Sequence, residues 1–164
     1  MNAIRKILVP TDFSAHADEA FRAAQTLAKA TGAEVIVFHV APPPAVVSED
    51  GPLLAEPDKG KAVDLWQRFQ RLRAEDPSVR VEHRVVVAER PNGSHILEIL
   101  DEMGCDLIVM GTHGRSWLKR LLFGSVTEEV VRRARCPVMV VKAPGHQAAT
   151  RAPESAAKAE RLAP

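Results

Sequence analysis

Five short apolar runs punctuate the chain: Ile7-Leu8-Val9, Val35-Ile36-Val37-Phe38, Val85-Val86-Val87, Leu107-Ile108-Val109-Met110 and Val138-Met139-Val140-Val141. None alternates with polar residues, and β-branched side chains dominate them. A strand with one wet face alternates, whereas a strand covered on both faces does not. Continuous runs of this kind are therefore how the strands of a parallel sheet read. Parallel strands need crossovers, and the segments between the runs carry helical periodicity.

The first crossover opens at Ser14, a residue suited to an N-cap, with Asp18 and Glu19 in the first turn. Ala17, Ala20, Phe21, Ala24, Leu27 and Ala28 line one face, and Gly32 stands where a left-handed C-cap belongs. Ala62, Leu65, Trp66, Phe69 and Leu72 mark a second helix, with Trp66 and Phe69 as core candidates. Ile96, Leu97, Leu100 and Met103 mark a third that stops at Gly104. The fourth begins near Gly124-Ser125, uses Val126, Val130 and Ala134, and ends before Pro137. This alternation predicts an α/β fold: an open, doubly wound, five-stranded parallel sheet with helices on both faces.

Two segments stand apart. Residues 42–57, with Pro42-Pro43-Pro44 and Gly51-Pro52, read as a long connection that is neither helix nor central strand. Residues 144–164 lack an apolar period and read as a disordered tail, leaving residues 1–143 as one domain. Lys and Arg number 22 against 21 Asp and Glu, a net charge of +1 that does not resemble a nucleic-acid binder. Two cysteines, Cys105 and Cys136, imply no disulfide framework, and both read as small packed hydrophobes. The first residues form neither a signal-peptide core nor a membrane span, so a cytoplasmic location without membrane attachment is expected.

In an open α/β sheet, ligands bind outside the carboxyl ends of the strands. After the first run comes Pro10-Thr11-Asp12-Phe13-Ser14, and after the fourth comes Gly111-Thr112-His113-Gly114-Arg115, leading to Gly124-Ser125-Val126-Thr127. Glycines let the backbone approach an anion closely, and a helix beginning at Ser125 offers free N–H groups to negative charge. His113, Arg115, Lys119 and Arg120 add donors nearby. The spacing, Gly-x2-Gly-x9-Gly-Ser, is neither the dinucleotide fingerprint nor a P-loop. Asp12 reads equally as a ligand contact or as the start of a turn ahead of Ser14. His39 reads as a partly buried, hydrogen-bonded side chain, and no histidine shows metal-ligand spacing. Arg132, Arg133 and Arg135 read as cations near a helix C-terminus.

With that spacing the sequence resembles the universal stress protein family, in its ATP-binding subgroup. The likeness runs through Lys6–Ser14, Asp106–Gly114, Gly124–Glu128 and Cys136–Val141, and spans about residues 4–142. It implies a flavodoxin-like sheet of the adenine nucleotide alpha hydrolase-like kind, homodimers and a role in stress resistance. By the resemblance, Pro10, Thr11 and Asp12 sit beside the adenosine, and Val40 offers its backbone to the adenine edge. Met110, Gly111, His113, Gly114, Gly124, Ser125, Val126 and Thr127 surround the ribose and phosphates. ATP is the implied ligand, with magnesium or manganese as companions of the triphosphate. No Walker-type lysine or general base stands out, so no catalytic residue is assigned. Slow ATP hydrolysis and nucleotide-independent dimerisation are the rival functions. The last run, Val138–Val141, falls at a sheet edge in this order and is the expected dimer contact.

Overall fold

In the computed structural model, residues 3–43, 45–48, 51–54, 59–90, 92–112 and 124–143 are described. The expected tail, 144–164, lies outside them. The sheet is built around β1 (Lys6–Pro10), in which Ile7, Leu8 and Val9 have no exposed surface. Burying each such side chain contributes about 1.5–3 kcal/mol. β2 (Glu34–Ala41) flanks β1 on one side and β6 (Leu107–Gly111) on the other, both parallel to it. β5 (Val81–Val87) extends the sheet beyond β2, and β7 (Val138–Val141) extends it beyond β6. The order is β5-β2-β1-β6-β7. Counting only these five parallel strands it is 3-2-1-4-5, so the winding reverses between β1 and β6. The Asp106 carboxylate pins the starts of these two strands together, accepting from Arg5 N at 2.9 Å and Lys6 N at 3.0 Å.

The pleat sends alternate residues to two cores. Ile7, Val9, Val35, Val37, Leu107 and Val109 face α1 (Ala15–Thr31) and α2 (Lys59–Arg71). Leu8, Ile36, Phe38, Ile108 and Met110 face α3 (Gly93–Met103) and α4 (Ser125–Arg133). Helices thus cover both faces, as the apolar runs require. Ser14 caps α1 by accepting from Ala17 N, and Gly32 (φ 74°) and Gly104 (φ 61°) close α1 and α3 in the left-handed region.

Two expectations need amending. Trp66 is not core: it is 62% exposed. The line Leu65, Phe69, Leu72 takes the packing instead, and Trp66 lies about 100° round the helix from Leu65, with no wall to cover it. The third strand is not buried on both faces, since Val85 and Val87 are 43% and 61% exposed. β5 is an edge strand, and only its earlier residues lie under α2. Within 42–57, β3 (Ala45–Ser48) and β4 (Gly51–Leu54) form an antiparallel hairpin, a small sheet of its own.

On the other face one carboxylate joins two helices. Glu129 of α4 accepts from Gly93 N at 2.9 Å and Ser94 Oγ at 3.3 Å, and pairs with Arg133 at 2.5 Å. It occupies the space a β-carbon at residue 93 would need, 2.7–2.8 Å away. The Gly93 N–H bond holds its carboxyl below the usual carboxylate range, with Arg133 and Ser94 adding to the effect. A folded pKa below the unfolded value, about 4.3, means the unfolded chain binds more protons. The contribution is present above that value and is lost as pH falls through the folded one. Glu129→Ala should therefore lower the urea midpoint at pH 7 and make little difference near pH 3. An equal deficit at both pH values would show that the charge is not what matters.

Candidate functional site

The reversal between β1 and β6 brings the loop after β1 beside the described ends, Gly111–Thr112 and Gly124–Thr127, of the second stretch singled out in the sequence. Pro10 ends β1, and Thr11 N still donates to Phe38 O of β2 at 2.8 Å. The chain then turns sharply: Thr11 Oγ1 accepts from Phe13 N and Asp12 Oδ1 from Ser14 N, each at 3.0 Å. Asp12 thus makes the turn that the sequence offered as one of its two roles. His39 is half-buried with Nδ1 2.8 Å from Thr11 O, as expected of a hydrogen-bonded histidine.

Val40 lies two residues beyond the last β1–β2 pair, Pro10–Phe38. Successive residues of a strand direct their backbone groups to opposite neighbours. Phe38 O faces β1 and Ala41 O accepts from Ala88 N on the β5 side. The N–H and C=O of Val40 therefore face the β1 side, where β1 has already turned away. The Val40 side chain is 8% exposed and packs on the α3–α4 face.

Across the reversal, Met110 is buried beneath α3 and α4, while Gly111 faces α1. A β-carbon at 111 would lie 2.8 Å from His16 Cβ and 2.9 Å from His16 C and O. Thr112 N donates to Val141 O at 3.0 Å and Gly124 N to Thr112 O at 2.9 Å, which draws the two ends of the intervening segment together. His113, Gly114, Arg115, Lys119 and Arg120 lie outside the described residues. Gly124 is the N-cap of α4 and contributes no side-chain bond. Among the described residues, then, no side chain caps the helix start at Ser125, Val126 and Thr127. Thr127 is buried, and its hydroxyl donates to Gly111 O at 3.1 Å, tying α4 to β6.

Sequence reasoning did not single out Phe13 or His16, which the fold brings to these strand ends. Only the position of His16, two residues past an N-cap, could have flagged it. Burial pushes the Cys105 thiol up to about 11, and Cys136 also upward, so neither is poised as a nucleophile. A cavity of about 480 Å3 lies between α1 and α2, with Phe13 of the loop after β1 in its lining. Its walls carry charges of both signs, including the Arg68–Asp64 pair at 2.9 Å.

A doubly wound α/β domain whose winding reversal gathers the ends of β1 and β6 and a helix start at Gly124, where the cap residue has no side chain, has the architecture of a ligand-binding fold. A family model for the universal stress protein family matches residues 3–142, and the chain belongs to that family. Universal stress protein MJ0531 of Methanocaldococcus jannaschii is 35% identical over 147 residues, covering 87% of this chain and 85% of its own. MJ0577 of the same organism is 29% identical over 153 residues, covering 84% and 94%. Its solved structure superposes with a TM-score of 0.64 over 86% of this chain and 97% of that one. A universal stress protein solved in complex with cAMP is 27% identical, with a TM-score of 0.61 over 87% and 99% of the two chains.

Because the neighbour of Gly111 is helix backbone and not a mobile side-chain tip, a methyl group there cannot be absorbed locally. Gly111→Ala should cost about 1–3 kcal/mol as α1 shifts from β6. Urea unfolding without any ligand checks it, and an unchanged midpoint would mean the approach is looser than 2.8 Å.

Proposed function

We propose that this protein is a cytoplasmic, ATP-binding regulatory module in which the nucleotide lies across the β1–β6 reversal. Val40 presents an N–H and a C=O to the adenine edge, beside a wall formed by Pro10, Thr11 and Asp12. Gly111, Gly124, Ser125, Val126 and Thr127, together with His113 and Gly114, take the ribose and phosphates. The observation that carries this reading is the pairing of Val40's outward backbone with the start of α4, where the cap residue Gly124 has no side chain for the first N–H groups. One fits a purine edge and the other an anion. The relative in complex with cAMP supports an adenine nucleotide as the ligand class. Among the described residues no cluster of three His, Cys, Asp or Glu is poised to hold a metal, so a magnesium or manganese ion would arrive held by the phosphates. Occupancy then alters the surface offered to partners, which links the energy state of the cell to stress survival.

A side chain at residue 114 would take up space the phosphates need. Gly114→Val should abolish ATP binding in calorimetric titration while leaving the urea midpoint near that of the unaltered protein. Equal affinity in the two forms would remove this segment from the site. Hydrolysis should stay well below about 1 per second, the lower end of ordinary enzyme rates. Faster single turnover with labelled ATP would favour the ATPase reading.

The partner reading is a homodimer paired through β7. It lies at the sheet edge, carries no charge between Val138 and Val141, and leaves Met139 41% exposed. Antiparallel pairing about a two-fold axis would satisfy the outer N–H and C=O groups of both copies. Val140→Pro should weaken the dimer. Sedimentation at micromolar concentration tests it, and a clean monomer of the unaltered protein would end this reading.

A further inference from the structure

Among the described residues, Phe13 is the one non-glycine residue with positive φ, at 61°. Bulky L residues seldom adopt that conformation, and it persists only where the surroundings over-determine it. Here they do. The Phe13 ring lies 4.6 Å from the His39 ring and 5.3 Å edge-on from that of Phe69, with the Arg68 guanidinium 5.7 Å over its face. Both supports are themselves fixed. His39 reaches Thr11 O through Nδ1 at 2.8 Å. Phe69 packs 4.9 Å from His83, whose Nε2 is 3.0 Å from Leu72 O. One stack therefore runs from the edge strand β5 through α2 and β2 to the loop after β1. Phe13 stands between Asp12 and Ser14, the two residues joined by the turn's own hydrogen bond.

We propose that Phe13 is a positioning residue: rings from β2 and α2 hold it in the left-handed turn that presents Thr11 and Asp12 to the nucleotide. The proposal rests on the nucleotide reading above. It also makes α2 part of the site's machinery, although α2 contributes no ligand contact. Removing the ring leaves the turn to the intrinsic preference of residue 13. Glycine enters the left-handed region about as readily as the right-handed one, while alanine enters it rarely. Apparent affinity falls with the fraction of molecules holding the competent loop. Phe13→Gly should therefore weaken ATP binding by about twofold and Phe13→Ala by about tenfold or more.

A ring that merely filled space would give the opposite order, or no difference, because both variants lose the same ring and glycine further loosens the chain. Calorimetry on both variants decides: Phe13→Ala binding ATP as well as Phe13→Gly overturns the proposal. The nucleotide-free loop supplies a second readout. The short amide-to-Hα distance that marks positive φ in a residue with a single Hα, read by NMR at residue 13, should be present in the unaltered protein and lost in Phe13→Ala. If it survives in Phe13→Ala, the positioning role falls whether or not ATP binds. If the unaltered protein binds no ATP, the nucleotide reading falls and this loop measurement still judges the stack. Should either variant fail to fold, Phe69→Leu keeps the apolar bulk without the ring wall. It should weaken ATP binding while leaving the urea midpoint nearly unchanged, and unchanged affinity would overturn the proposal.

Discussion

The first turn of α1 can rest on the end of β6 only because residue 111 has no β-carbon. His16 Cβ, carbon and oxygen lie 2.8–2.9 Å from where that atom would stand. Much of the strand-end architecture follows from this one approach. With α1 seated across β1 and β6, the loop after β1 must turn within Thr11–Ser14, and its polar side chains are used to make that turn. Gly111 is thereby left with its carbonyl toward Thr127, and that bond sets where α4 begins. The glycine that a motif reading gives to a phosphate is first of all a packing requirement between a helix and a strand. The two roles are compatible, since a helix start and a strand end pressed together also form the walls of a cleft.

The two edges of the sheet are unequal in a way that bears on association. β5 carries the Glu82–Arg84 pair at 2.6 Å and His83 tied to Leu72 O, and charges of this kind discourage pairing with another chain. β7 has no such protection: its four residues are all apolar, and the side chains of Val138, Val140 and Val141 are only partly buried. Edge pairing adds to stability only where backbone groups are free and the flanking side chains gain cover. Among the described residues the first condition holds at both edges, but the second is met more fully at β7.

How much of this was legible in the sequence follows from the range over which each signal acts. Ser14, Gly32 and Gly104 are read correctly because a cap depends on a few neighbouring residues and their φ values. The buried runs of β1, β2 and β6 are read correctly because both faces are covered, which forces every position to be apolar. β5 begins four residues before its valine run, at Val81, because an edge strand can afford Glu82, His83 and Arg84. Trp66 misleads because its helical spacing is sound, but whether a wall stands opposite depends on where the sheet stops. The hairpin of 45–54 hides behind prolines that do exclude a central strand but do not exclude an isolated ladder. Asp12 and Gly111 are singled out from their position at strand ends, and Gly124 from its place before a helix. The left-handed Phe13 and the Glu129 link to Gly93 depend on residues far along the chain, and no local pattern announces them.

Holding a nucleotide and hydrolysing it ask different things of the same side chains. A general base must present a lone pair to an attacking water and be free to take its proton. Around this reversal the described polar groups serve the backbone: Thr11 Oγ1 holds Phe13 N, Asp12 Oδ1 holds Ser14 N, and Thr127 Oγ1 holds Gly111 O. Asp12 could swing toward a water only by giving up the turn that lets α1 start at Ala15. The rings around Phe13 oppose that movement, since they stabilise the same turn from the other side. An acid committed to scaffolding holds the Thr11–Ser14 turn in place. Under the proposed function, that commitment favours holding a nucleotide over hydrolysing it.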